Sequence, residues 1–153
     1  MKKIFVVAGI ITNKRKVLCA QRGKNKFNYI SDKFEFPGGK IEGYETDEQC
    51  LKREILEELS LNIEINDFYM LVDHKYPDFQ VIMKVYLCSS SNRNLTLKEH
   101  ISCRWLDKKK IENLDWAEAD IPIVKRLLTD RVIWYKKLKY NNKKHLFGKI
   151  EWF

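Results

Sequence analysis

The sequence predicts a single domain of the α/β or α+β sandwich class, on three observations. Its 153 residues suffice for one hydrophobic core and are few for two. Several strand-like runs are separated by turn signals. Two further segments carry helical patterning, so strands and helices must share the core in layers. The composition, 44% hydrophobic and 33% charged, fits a folded chain and excludes a disordered one.

In chain order, residues 3–11 and 17–22 read as β-rich runs joined by a polar turn around Asn13-Lys14. A polar loop, Gly23 to Lys33, leads to Phe34-Glu35-Phe36-Pro37-Gly38-Gly39, a short extended segment ending in turn residues. Thr46-Asp47-Glu48-Gln49 fits a capping box with acidic residues in the first turn, opening a helix that runs to about Leu59. Strands are expected over roughly 63–73 and 79–88, with Tyr76-Pro77-Asp78 between them, and over Ile101 to Leu106. Ile121, Val124 and Leu128 recur at helical spacing. There is no internal repeat and no interdomain linker.

Several function classes fall away. No apolar stretch is long enough to span a bilayer, so no membrane partner is expected. Met1-Lys2-Lys3 and the apolar run Ile4 to Ile11 superficially resemble a secretion signal. They lack a small-residue cleavage site and run into Thr12-Asn13-Lys14-Arg15-Lys16, which favours a buried first strand. Cys19, Cys50, Cys88 and Cys103 form no close pair, and the histidines complete no zinc pattern. Free thiols in a reducing compartment, the cytoplasm, are the expectation.

The net charge of +8 is unevenly placed. Residues 131–153 hold seven Lys/Arg and one acidic residue, whereas the remaining 130 are nearly neutral. The expected division is therefore a domain over 1–130 and a basic, aromatic extension over 131–153.

The segment from Gly38 to Leu61 carries the chemistry. On a helix, Leu51, Ile55 and Leu59 form one apolar stripe. Glu54, Glu57 and Glu58 fall in a neighbouring sector of about 100°, with Glu58 bordering the stripe and Glu57 pointing away from it. Like charges at i+3 and i+4 repel unless a cation compensates, although Arg53 could relieve part of that repulsion. A solvated acidic face and a metal site both remain open on helix geometry. Clustered carboxylates without sulfur or imidazole suit a hard ion, Mg²⁺ or Mn²⁺ rather than Zn²⁺.

This segment resembles the Nudix box. Gly39 is followed after five residues by Glu45, and after seven more by Arg53-Glu54, Ile55, Leu56, Glu57-Glu58, Leu59, Ser60 and Leu61. Each position fits the family pattern except Ser60, where glycine is expected to ease a left-handed turn after the helix. The resemblance covers roughly residues 1–130 and points to the MutT-like and CTP pyrophosphohydrolase-like branch. It includes the opening hairpin, the Phe34–Gly39 lead-in, the turn Tyr76-Pro77-Asp78, the Glu99–Leu106 segment, and Ala117–Pro122 before the last helix.

The resemblance implies an α/β/α sandwich with a central mixed sheet, and a Mg²⁺-dependent enzyme (Mn²⁺ an alternative) cleaving a nucleoside triphosphate to monophosphate and pyrophosphate. It assigns Glu57, Glu58 and the Gly39 carbonyl as metal ligands, and Glu54 as a ligand or the group activating water. Glu99 becomes a candidate base or extra ligand. Arg53 would orient the glutamates, Glu45 would support that network, and Arg22 would contact phosphates. Phe36 and Tyr76 match positions near the nucleobase, while Asp120 stands where MutT-type proteins carry Asn. An ionised Asp only accepts hydrogen bonds, which permits cytosine or guanine-like bases and chooses neither. Asp120 could equally serve the start of the last helix.

Two rival readings stay open: an enzyme for another nucleoside-diphosphate-linked compound, and a regulatory protein that binds nucleic acid. In the tail Val132, Trp134, Leu138 and Tyr140 share one parity, as do Leu146, Ile150 and Trp152 beyond Asn141-Asn142, which suggests a hairpin, with a continuation of the preceding helix as the rival. Packing on the domain or on a second subunit of a homodimer is its expected role. Single-stranded nucleic acid is its other partner class.

Overall fold

The computed structural model of the chain describes residues 1–131, so the tail beyond Arg131, with its hairpin and packing expectations, lies outside the described residues. Among the described residues seven strands form one mixed sheet: β1 (Lys2–Asn13), β2 (Lys16–Gln21), β3 (Phe34–Glu35), β4 (Gly38–Lys40), β5 (Glu64–Lys75), β6 (Phe79–Ser89) and β7 (Ser102–Leu106). The main path runs β3-β2-β1-β6-β5, with β4 added to β1 and β7 to β2. β1 and β6 are parallel and the other pairings are antiparallel. Helices α1 (Asp47–Leu59), α2 (Lys108–Ile111) and α3 (Ile121–Thr129) complete the fold, with a 3₁₀ turn over Glu118–Asp120.

From Val7 onward β1 is buried on both faces, and that explains why the apolar run continues there without alternation. Val7 and Ile11 face a cluster containing Leu51, Ile55 and Leu59 of α1. Ala8 and Ile10 face the opposite cluster, which includes Ile123, Val124 and Leu127 of α3. The sheet is thus the middle of three layers, as the α/β/α expectation requires. Burying each leucine or isoleucine is worth about 1.5–3 kcal/mol, so the predicted stripe fixes how α1 is rotated against the sheet.

Local chemistry sets the ends of the elements. At Thr46 the capping box is complete: Thr46 Oγ1 accepts the Gln49 N–H at 3.1 Å, and Gln49 Oε1 accepts that of Thr46 at 2.9 Å. Ser60 closes α1 at φ 53°, in the left-handed region expected of the missing glycine. The β1–β2 turn sits one residue later than predicted. Lys14 and Arg15 both have positive φ, as a two-residue hairpin loop that matches the strand twist requires.

Two other segments differ from expectation. Gly38–Lys40, read as the end of a turn, is a strand against Val6–Ala8. It approaches so closely that a Cβ on Gly38 would overlap the Val7 carbonyl. The 23–33 loop is polar only in part, because it delivers Ile30 to the core with Phe27 and Tyr29 packed beside it.

Candidate active site

The carboxylates of α1 are graded in burial, with Glu54 12%, Glu58 14% and Glu57 61% exposed. Glu57 points furthest from the apolar stripe and is the exposed one, while Glu54 and Glu58 flank it and are nearly equally buried. Arg53 is the hub beneath them. Its guanidinium meets Glu45 through two nitrogens at 2.7 and 2.9 Å, Glu54 at 3.0 Å and Glu57 at 3.1 Å. Glu45 also accepts the Glu42 N–H at 2.8 Å, so box loop and helix are tied at one carboxylate. Arg53 and that N–H hold the Glu45 carboxyl down to about 2. The bidentate fork fixes direction as well as charge.

Glu54 lies against the backbone of Gly39, where a Cβ would overlap its carboxyl group. Glycine is needed here because the carboxylate occupies the space a side chain would fill. Burial, the neighbouring Glu54 carboxyl and the charge of Glu99 push the Glu58 carboxyl up to about 9. Crowded carboxylates of this kind favour a compensating cation.

Glu35 and His100 were missing from the sequence-level site. Glu35 accepts from Arg22 Nε at 2.6 Å and lies 3.0 Å from His100 Nε2. Burial works against its charge, yet the His100 hydrogen bond and Arg22 together hold its carboxyl below the usual carboxylate range. Glu35 had a readable signal: it is the single acid between buried Phe34 and Phe36, facing the other way on an alternating strand. His100 had only its place beside Glu99.

Two hollows adjoin here. A polar one of about 580 Å³ is lined by Glu54, Glu57, Glu58, Glu99 and His100. A more apolar cleft of about 630 Å³ contains Tyr76, Phe79, Ala119 and Asp120. Arg22, Glu35, Gly39 and Lys40 line both, so the hollows form one continuous trough. Tyr76 is held by its hydroxyl, which accepts the Ala119 N–H at 3.0 Å, and by the parallel Tyr29 ring at 5.2 Å. Asp120 Oδ1 accepts the Phe36 N–H at 2.9 Å and makes no cap bond to α3. Burial, with the charge of Glu35, pushes its carboxyl well above the usual carboxylate range. Phe36 lies outside the cleft lining, 3% exposed, with its ring stacked on Trp116 at 4.7 Å. It contributes its backbone, whereas its ring belongs to the core.

Residues 2–127 match the NUDIX domain. The chain belongs to the Nudix family. It is 36% identical over 104 residues to an 8-oxo-dGTP diphosphatase of Proteus vulgaris, a span covering 67% of this chain and 90% of that protein. It is 28% identical over 131 residues to a CTP pyrophosphohydrolase of Escherichia coli K12, covering 86% and 96%. The solution structure of a MutT protein from methicillin-resistant Staphylococcus aureus 252, described as a Nudix hydrolase, superposes with a TM-score of 0.64 at 38% identity, covering 84% and 98%. This Nudix chain is an enzyme, a hydrolase of MutT-like type.

Nudix hydrolases generally use divalent metals. The donor set here fits one in chemistry: its carboxylates are oxygen donors, and the neighbouring negative charges that push the Glu58 carboxyl up are what a cation would offset. Among the described residues no three acidic, His or Cys groups are already drawn together as a shell, with Glu57 turned toward Arg53 instead. Among the described residues no helix is long and apolar enough to cross a membrane.

Proposed function

We propose that this Nudix hydrolase converts a nucleoside triphosphate to its monophosphate and pyrophosphate, with Mg²⁺ held by Glu54, Glu57, Glu58 and the Gly39 carbonyl, and Mn²⁺ as a substitute. The observation that carries the reading is the continuous trough, which places a carboxylate-rich hollow next to an aromatic cleft with Arg22 and Lys40 shared between them. A polyphosphate suits the charged end and a nucleobase the aromatic end. The metal, when bound, neutralises phosphate charge and lowers the pKa of water.

The chain's own groups do the remainder. Arg53 keeps the glutamates in register, and Arg22 and Lys40 attract the phosphate chain. Glu54 or Glu99 accepts a proton from the attacking water. Water adds at the β-phosphorus, and the bond from that phosphorus to the α–β bridging oxygen breaks. The monophosphate leaves with the bridging oxygen and pyrophosphate keeps the oxygen of water. Tyr76 packs against the base and Asp120 reads its polar edge. The names of the relatives favour 8-oxo-dGTP and CTP or dCTP as substrates. Four free thiols suit a reducing compartment such as the cytoplasm.

The test is a screen of CTP, dCTP and 8-oxo-dGTP with Mg²⁺, comparing the chain with Glu57→Gln. Turnover of at least one nucleotide, lost in Glu57→Gln, is expected. Absence of any turnover would overturn the enzymatic reading, and equal turnover by both proteins would remove Glu57 from the metal site.

A further inference from the structure

The His100 imidazole is only 6% exposed, and its two nitrogens face different acids. Nε2 lies 3.0 Å from Glu35 Oε2, while Nδ1 lies 3.9 Å from Glu58 Oε2 with no hydrogen-bond partner. A buried polar atom without a partner destabilises the fold and calls for a reason. Glu35 is kept ionised by Arg22 at 2.6 Å, so it can only accept, and the Nε2 hydrogen must point at it. This fixes the ring and aims Nδ1 at Glu58.

We infer that His100, anchored by Glu35, is a positioning residue for Glu58, making the Arg22–Glu35 pair and the box carboxylates one connected unit. The inference rests on the reading of the box as a metal site. Nδ1 is a buried polar atom without a partner, 3.9 Å from Glu58 Oε2, roughly half an ångström beyond hydrogen-bond range. A small shift of either side chain closes that gap. Groups that orient metal-binding carboxylates from behind typically change metal affinity by about 10–100-fold.

The test uses Mn²⁺ alone, titrated into the full chain without nucleotide, with free ion counted by electron paramagnetic resonance. His100→Phe should weaken Mn²⁺ binding about tenfold or more. His100→Gln keeps a donor for Glu35 but puts nothing at the Nδ1 position, so it should stay folded and show the same loss. Combined with Glu58→Gln, either change should add no further loss. Wild-type Mn²⁺ affinity in a folded His100→Gln protein, or additive losses in the double variant, would overturn the inference while leaving the metal site intact. Failure of the unmodified chain to bind Mn²⁺ would remove both.

Discussion

On the carboxylate side of the trough, Arg53 reaches Glu42, Glu45, Glu54 and Glu57, all within one loop and one helix. The aromatic side draws Tyr76 from a hairpin turn, Tyr29 from a loop, Ala119 and Asp120 from a 3₁₀ turn, and Phe36 from beside β3. The Arg53 network is thus local, whereas the second half is an assembly of distant segments. The carboxylate hollow also takes Arg22, Glu35, Glu99 and His100 from outside that loop and helix, and Arg22 and Glu35 join the two halves.

The largest expected effect separates chemistry from recognition. Glu58→Gln should lower kcat on the order of a thousandfold, about 4 kcal/mol of barrier, with little change in KM. It should not lower the melting temperature, since it removes a carboxyl that burial already disfavours. A parallel rise in KM would show that the two halves are not separable.

A smaller effect follows from pH in metal-free protein. Glu58 titrates near 4.5 unfolded and near 9 folded, so the folded state holds the extra proton between those values. Its contribution is complete below the unfolded value and is lost as pH rises through the folded one, so the melting temperature should fall from about pH 4.5 to about pH 9. Glu45 and Glu35, with lowered values, add stability that is already complete above that lower bound. Saturating Mg²⁺ should flatten the slope. A slope unchanged by Mg²⁺ would place it on the recognition side, at Asp120, whose shift has the same sign.

Asp120→Asn keeps an acceptor for the Phe36 N–H and alters only what the base edge meets. It should lower kcat/KM for the preferred nucleotide about tenfold, roughly 1.4 kcal/mol, and leave Mg²⁺ activation unchanged. The smallest effect lies outside both halves. Ser60→Gly relieves a left-handed residue at the end of α1 and should stabilise by about 1 kcal/mol, raising the melting temperature by roughly 2–4 °C without altering kinetics.

The same contrast governs what could be read from the sequence. Caps, stripe and box are short-range patterns, so Thr46, Arg53, Glu54 and Ser60 were legible, and so was the three-layer class. Glu35 showed only as an alternating acid and its pairing with His100 did not show, because the two meet only when β2 brings β3 and β7 to its two sides, across 65 residues of chain. Phe36 shows the limit of transferring a position: the aromatic is present, but Trp116 claims its ring. The 23–33 loop shows the limit of averaging, since its polar character concealed Ile30.

The parallel pairing of β1 with β6 has a consequence in time. Asn13 holds the Ser90 carbonyl at 2.7 Å across 77 residues, and the whole β1 ladder spans a similar gap. At synthesis rates of about 5–20 residues per second, the first strand waits roughly 4–15 s for its central partner. During that wait an apolar strand end, Val6 to Ile11, emerges from the ribosome with half its hydrogen bonds unclaimed. Newly made chains are therefore most exposed to chaperone capture, or to pairing with one another, at a strand whose second half is later buried on both faces.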